Sequence, residues 1–543
     1  MQDVPLTTSR ILEHGRRAHG QSQVTTWTEQ GPRRRSFSEI GDRAAQLAHA
    51  LTDLGMGDGD VLGTLMWNNA EHVEAYLAIP SMGAVLHTLN LRLPAEQLIW
   101  IVKHADDKVV IVNGSLLPLL APLLPHLTSI EHVIVTGPGD RSVLDGAAPR
   151  VHEYEELIAG RPTSYDWPEL DERQAAAMCY TSGTTGDPKG VVYSHRSIYL
   201  HSMQVNMAES MGLTDKDTTL VVVPQFHVNA WGLPHATFMS GINMLMPDRF
   251  LQPVPLADMI EREKPTHAAA VPTIWQGLLA EVIANPRDLS SMARVTIGGA
   301  ACPPSLMEAY DKLGVRLCHA WGMTETSPLG TMANPPAGLT GEEEWPYRVT
   351  QGRFPAGVEA RLIGPGGELL PWDNESAGEL EVRGPWIAGA YYGGADGEAL
   401  RPGDKFSEDG WLKTGDVGVI SDDGFLTLTD RAKDVIKSGG EWISSVELEN
   451  ALMAHPDVAE AAVVAVPDEK WGERPLATVV LKDGAMADYE ALKGFLAESG
   501  IAKWQLPERW TIIPAVPKTS VGKFDKKVIR KQYAEGELDI TRL

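Results

Sequence analysis

The sequence predicts an α/β protein in two parts, a large N-terminal body followed by a small α+β C-terminal domain. Three features carry this reading. From Ser38 to about Ala320, short apolar runs alternate with amphipathic stretches at helical spacing, the pattern of α/β units around a largely parallel sheet. From about Val349 the runs shorten and Gly, Pro and Asp interrupt them, which fits an appended antiparallel sheet or small β-barrel. At Asp430-Arg431-Ala432-Lys433-Asp434 a charged break precedes renewed helix and strand patterns, so the expected division is residues 1–429 and 430–543.

Taken in order, Ser38 and Glu39 open a helix with Ile40, Ala44, Leu47, Leu51 and Leu54 on one face, and Gly55 ends it. Arg33-Arg34-Arg35 before it reads as a charged turn between short strands, with phosphate binding as a secondary option. Then come a strand at Asp60–Met66, a helix at Glu71–Met82, a strand at Ala84–Leu89, a helix at Pro94–His104 and a strand at Lys108–Val112. The second half of the body repeats this with strands at Ala175–Tyr180, Thr219–Val223, His267–Val271, Val295–Gly298 and Leu317–Ala320, and a helix near Ile274–Ile283. Several of these strands run into small or polar residues at their C-terminal ends, the edge where open α/β sheets bind ligands. Beyond the break, Ser445–Ala454 and Tyr489–Ser499 read as helices, Ala459–Val466 and Ala477–Leu481 as strands, and a basic tail closes the chain.

At 543 residues the chain is long enough for several cores. Its 72 acidic against 47 basic residues give a net charge of -25, which disfavours nucleic acid and anionic membranes as partners. An anionic substrate therefore needs basic groups placed locally. Cys179, Cys302 and Cys318 lack C-x-x-C spacing, so buried structural thiols are expected, without a cysteine metal site. The opening Met1-Gln2-Asp3-Val4-Pro5 has neither a basic nor an apolar signal region, and Leu116–Leu127 is short and broken by prolines. No integral membrane segment and a cytoplasmic location are the expectation.

The densest chemistry lies at Tyr180-Thr181-Ser182-Gly183-Thr184-Thr185-Gly186-Asp187-Pro188-Lys189-Gly190. Glycines allow close backbone approach, while N–H groups, hydroxyls and a lysine can meet polyphosphate oxygens. It is not a Walker A loop, since G-x-x-x-x-G-K-[ST] is absent. Six further motifs follow in order: Gly298-Gly299-Ala300-Ala301, Trp321-Gly322-Met323-Thr324-Glu325, Thr414-Gly415-Asp416, Asp430-Arg431, Lys437-Ser438-Gly439-Gly440-Glu441 and Pro517-Lys518-Thr519-Ser520-Val521-Gly522-Lys523.

With these seven in sequence, the chain resembles the adenylate-forming superfamily of acyl-CoA synthetases, luciferases and peptide-synthetase adenylation domains. The spellings Phe226 to Trp231 and Gly439 to Ser444 are similar to those of fatty-acid CoA ligases, and within that group the chain also resembles bacterial 3-methylmercaptopropionate-CoA ligases. The resemblance implies a large domain of αβ-layered subdomains and a mobile small domain. It implies ATP-dependent conversion of a carboxylic acid to an acyl-adenylate and then to acyl-CoA, with Mg²⁺ as cofactor and ATP and CoA as co-substrates. Short- to medium-chain fatty or thioether acids are the expected substrates; a long-chain acid, or a carrier protein as thiol acceptor, is the alternative. Related fatty-acyl enzymes are often homodimers, although no segment here specifies an interface.

Carried residue by residue, the resemblance gives Thr181, Ser182, Gly183, Thr184 and Thr185 to the phosphates of ATP. It gives Glu325, with Thr184, to Mg²⁺. Gly299, Ala300 and Ala301 would lie against adenine with Trp321, Gly322, Met323 and Thr324 alongside, while Asp416 and Arg431 would hold the ribose. His227, Asn229, Trp231 and Gly298 would border the acyl pocket. Ser438, Gly439, Gly440 and Trp442 would line the CoA tunnel, and Lys433 would be the hinge. Lys523 would be the catalytic lysine of adenylation. Locally it is one of four clustered basic residues with Lys518, Lys526 and Lys527, and the motif match alone singles it out.

Overall fold

The computed structural model describes residues 1–543 apart from 182–186, 396, 432, 439–440, 487 and 520–521, and apart from the side chains of Glu441 and Trp442. Three sheets organise the described residues. The first has seven strands, in the spatial order Arg150–Glu153, His132–Thr136, Val109–Asn113, Val61–Leu65, Val85–Thr88, Ala175–Thr181 and Lys189–Ser194. All its pairs are parallel except the last, whose two antiparallel strands flank residues 182–186.

The second sheet has fourteen strands. Its parallel centre runs through Gln23–Thr28, Asn243–Met246, Thr218–Val221, His267–Ala270, Arg294–Gly298 and Arg316–Gly322. From Leu329–Met332 onward the pairing turns antiparallel, through Gly352–Arg353, Phe425–Arg431, Leu412–Ile420, Gly378–Arg383 and Glu359–Ile363 to Leu369–Leu370. The strands expected as an appended small sheet or barrel thus extend the second sheet, and their recorded pairing ends at Leu369–Leu370 without closing. Register shifts at Glu379/Glu381 and Val417/Gly418 mark bulges, which bend a sheet locally without closing it.

Helix Ala70–Ser81 packs against Gln23–Thr28 of the second sheet and against Val85–Thr88 and Ala175–Thr181 of the first. All its residues are buried, as befits a helix between two layers. That burial takes in Glu71 and Glu74, and buried carboxylates need partners. Arg33, Arg35 and Arg43 supply them, with Arg33 to Glu71 at 2.6 Å and Arg35 and Arg43 each 2.7 Å from Glu74. The triple arginine is therefore no turn. It lies in strand Gly31–Ser36, paired antiparallel with Gln23–Thr28, and its charges are committed to structural ion pairs, with Arg34 on Glu263. Ser36, rather than Ser38, caps the following helix Phe37–Asp53 through a reciprocal capping box with Glu39.

After Arg431 the chain enters a third sheet built on the hairpin Val458–Asp468 and Gly472–Leu481, flanked by helices Ser445–Met453 and Tyr489–Glu498. The basic tail contains a helix, Lys526–Ala534, N-capped by Asp525. Its Lys526 is drawn inward to Glu449 at 2.7 Å, and Arg530 reaches Asp434 beside the charged break. Cys179, Cys302 and Cys318 are buried free thiols, and burial pushes their pKa values up. Among the described residues no helix is long and apolar enough to cross a membrane.

Candidate active site

Strand Arg316–Gly322 delivers the second sheet's main contribution. A Cβ at Gly322 would lie 1.6 Å from the Pro328 carbonyl oxygen, so only glycine permits the chain to fold back there. The 3-10 turn Thr324–Thr326 follows and buries Glu325. Three neighbours pin this turn: Tyr391 Oη donates to Glu325 Oε1 at 2.6 Å, the Ala388 N–H donates to the Glu325 carbonyl at 2.7 Å, and Tyr193 Oη donates to the Thr324 carbonyl at 2.8 Å. Met323 N–H donates to Thr326 Oγ1 at 2.9 Å.

Asp416 is 2% exposed on strand Leu412–Ile420, directly across from Arg431. Arg431 Nε meets its Oδ1 at 2.6 Å, and the Trp321 indole N–H donates to Oδ2 at 2.8 Å. Trp321 itself is 7% exposed and lies against Gly330, where a Cβ would stand 2.3 Å from the ring. The indole is thus tied into the sheet by its edge and packed on Gly330.

Gly298 ends strand Arg294–Gly298, and Gly299 follows it. A Cβ on Gly298 would come 2.8 Å from the Ala320 carbonyl oxygen and 3.5 Å from Trp231 Cη2. Gly299, at φ +81°, would place one 3.5 Å from Lys523 Cε. Ala300 is exposed and Ala301 half-buried. Lys523 arrives from the small C-terminal part, with Thr519 N–H donating to the Lys523 carbonyl at 2.7 Å and Gly522 at φ +84°. Desolvation, reinforced by Arg431, brings the Lys523 pKa down to about 8 against the opposing pull of Asp416 and Glu325. The other lysines of the cluster point elsewhere: Lys518 pairs with Glu460, Lys526 with Glu449, and Lys527 is exposed.

His227 precedes four non-glycine residues in the left-handed region, Val228 to Trp231, with φ between 47° and 57°. Such residues cost about 1–2 kcal/mol each relative to right-handed backbone. The turn is held by burial and by Tyr76, whose hydroxyl donates to the Gln225 carbonyl and lies 3.1 Å from Asn229 Oδ1. Its outcome is a buried Trp231 aimed at Gly298. Burial, aided by Lys523 and Arg92, pushes the His227 pKa down to about 3, so its imidazole is neutral and weakly basic at neutral pH.

Thr181 ends strand Ala175–Thr181 opposite Lys189. Ser182, Gly183, Thr184 and Thr185 lie outside the described residues, as do Gly439, Gly440 and the Trp442 side chain. Ser438 is buried in the third sheet, paired with Gly472 and 3.2 Å from Arg474 Nη1. Lys433 is exposed in the turn after Arg431. The described residues contain no cluster of three metal-ligating side chains.

Lys523, Gly299, Asp416, Arg431 and Glu325 therefore converge from separate elements, with His227 and Trp231 beside them. Sequence reading missed Tyr391, Tyr193 and Arg92, since an isolated aromatic or arginine carries no periodic or motif signal. The model of the AMP-binding enzyme family matches residues 12–392, and that of the AMP-binding enzyme C-terminal domain matches residues 447–523. The chain belongs to the AMP-binding enzyme family. It is 44% identical over 539 residues to the 3-methylmercaptopropionyl-CoA ligase of Ruegeria pomeroyi, covering 98% of each chain. It is 40% identical to the medium-chain-fatty-acid–CoA ligase of Ectopseudomonas oleovorans, covering 98% of this chain and 96% of that one. Among solved structures, an anthranilate CoA ligase in complex with anthranoyl-AMP superposes with a TM-score of 0.87 at 25% identity, covering 99% of this chain and 100% of that one. This AMP-binding enzyme is an acid–thiol ligase of the acyl-CoA synthetase kind, with ATP and CoA as substrates beside the acid.

Proposed function

We propose that the ligase activates a short- to medium-chain fatty or thioether acid, with 3-methylmercaptopropionate as the candidate substrate. A carboxylate oxygen attacks the α-phosphorus of ATP and the bond to pyrophosphate breaks. The CoA thiol then attacks the acyl carbon and AMP leaves. The first step needs charge neutralisation and in-line positioning rather than a base, because a carboxylate is already nucleophilic.

The observation that supports the adenylation step is the placement of Lys523 beside Gly299, within electrostatic reach of Asp416, Glu325 and Arg431. Lys523 is the catalytic cation that spans carboxylate and α-phosphate. Asp416 and Arg431 receive the ribose. Gly299, Ala300, Ala301, Gly322, Met323 and Thr324 surround the adenine with Trp321, and Thr181 with residues 182–185 takes the phosphates. Glu325 is a buried hard-oxygen donor with its orientation fixed, which suits Mg²⁺, an ion that takes one or two carboxylates plus substrate phosphates. Thr184 is its proposed companion. Mg²⁺, when bound, neutralises phosphate charge as the pyrophosphate departs.

Trp231, buried and aimed at Gly298, supports a short acyl pocket bordered by His227 and Asn229. The proposed division falls at residues 429 and 430. Lys433, exposed beside that boundary, is the proposed hinge about which the small domain turns to exchange Lys523 for Ser438, Gly439, Gly440 and Trp442 along the CoA tunnel.

The test is AMP and acyl-CoA formation with Mg-ATP and CoA, across acids from acetate to palmitate plus 3-methylmercaptopropionate. Turnover peaking at short or medium chains, with the thioether acid among the best, supports the proposal. A peak at palmitate rejects the short pocket, and AMP release without acyl-CoA points to another thiol acceptor.

A further inference from the structure

Tyr391 stands between the two halves of the phosphate end of this site. Its hydroxyl donates to Glu325 Oε1 at 2.6 Å, and the Lys189 Nζ lies 5.0 Å from the centroid of its ring. Glu325 belongs to the second sheet's side of the site, whereas Lys189 opens the strand that leaves residues 182–186 on the first sheet. The backbone around Tyr391 makes the same bridge. Ala388 N–H donates to the Glu325 carbonyl at 2.7 Å, and Tyr392 N–H donates to the Gly190 carbonyl at 2.8 Å.

The ring is itself immobilised. Tyr391 is 3% exposed, exchanges both backbone hydrogen bonds with Leu400, and packs edge-on against Phe406 at 5.5 Å between centroids. A side chain fixed this firmly imposes its own geometry on what it touches. Its single hydroxyl proton selects one carboxylate oxygen of Glu325, which sets the plane in which the other is presented. Its negative ring face attracts the Lys189 ammonium. Groups that orient a metal ligand in this way tune the affinity of the site although they never touch the ion.

We infer that Tyr391 is a positioning residue for metal-bound ATP, acting through the Glu325 carboxylate on one side and the Lys189 ammonium on the other. The inference rests on the reading of Glu325 as the Mg²⁺ ligand, and the experiment separates the two. Binding of ATP to the full chain is measured by calorimetry without acid or CoA, once with Mg²⁺ and once with chelator, and the ratio of the two affinities is the readout. Tyr391→Phe keeps the ring and removes the hydroxyl, and Glu325→Gln is the reference variant.

Tyr391→Phe is expected to lower the Mg²⁺-dependent ratio by on the order of tenfold, while metal-free ATP affinity and the thermal midpoint stay in place. An unchanged ratio, or a parallel loss of both affinities, overturns the role of Tyr391. If Glu325→Gln still collapses the ratio in that case, the Mg²⁺ reading stands without Tyr391. If Glu325→Gln leaves the ratio intact, the cation assignment itself falls, and Tyr391 with it.

Discussion

If Lys523 is the adenylation cation, as proposed, its ammonium governs the pH dependence of that step. Desolvation and the Arg431 charge hold its pKa at about 8, low for a lysine. Such an ammonium is about nine-tenths protonated at pH 7, half at pH 8 and about one-tenth at pH 9. Only the protonated form can neutralise charge on the carboxylate and α-phosphate. The kcat/KM for pyrophosphate release is therefore expected to fall through pH 8, approaching about tenfold per unit above it, since this parameter follows the free enzyme's pKa. Lys523→Ala should slow adenylation at and below pH 7 by about 3–4 kcal/mol, on the order of a hundredfold or more, with the gap narrowing above pH 8 as the native lysine loses its proton. Lys523→Arg keeps a charge that no working pH removes, so whatever rate it retains should be flat from about pH 7 to 9. The assay is single-turnover pyrophosphate release, run beside conversion of supplied acyl-adenylate by CoA. The second half-reaction should survive Lys523→Ala largely intact. Equal loss of both halves, or a decline through pH 8 that persists in Lys523→Arg, would refute the assignment.

Three further outcomes are expected. Trp321→Phe removes the indole N–H from Asp416, and loss of one hydrogen bond to a charged group is worth about 1.5–3 kcal/mol. Preference for ATP over 2′-deoxy-ATP should drop by on the order of tenfold, with preference for adenine over hypoxanthine retained; loss of the base preference instead would make Trp321 a stacking residue. Trp231→Ala should shift the acid-length profile more than the KM for ATP, and an unchanged profile would return Trp231 to a packing role. Glu449→Ala leaves Lys526 buried without its carboxylate, which typically costs about 3–5 kcal/mol, and the denaturation midpoint should fall accordingly.

The parallel strands were legible because period and turn chemistry are local properties. Pairing across long separations was not. Arg33 and Arg35 look like solvated charge until helix Ala70–Ser81 brings Glu71 and Glu74 against them. The same limit hid the continuity of the antiparallel strands with the second sheet, since Gly352–Arg353 pairs with Phe425–Arg431 across more than seventy residues. Within the site, Lys523 could be chosen only through motif order; three-dimensional placement adds that Lys518 and Lys526 have ion-pair partners and Lys527 faces solvent. The left-handed turn at residues 228–231 left no trace, because none of its members is a glycine. Tyr391 is visible only in three dimensions.

The two strands flanking residues 182–186 belong to the seven-stranded sheet, whereas Gly299, Glu325 and Asp416 sit on or just beyond strands of the fourteen-stranded one. On the proposed reading the nucleoside docks on the fourteen-stranded layer. The phosphates meet the seven-stranded layer on one side and the Mg²⁺ ligand Glu325 of the other layer on the other, and ATP acts as a tie rod between them. Pyrophosphate and AMP, the two pieces of the nucleotide, each keep only part of the contacts that ATP makes. Their covalent union gains the effective concentration that tethering confers without adding a single contact. Cleaving the α–β bond removes that advantage at the moment of reaction. The two products are then held as separate fragments, each weaker than the nucleotide they came from, so chemistry itself loosens the grip between the sheets.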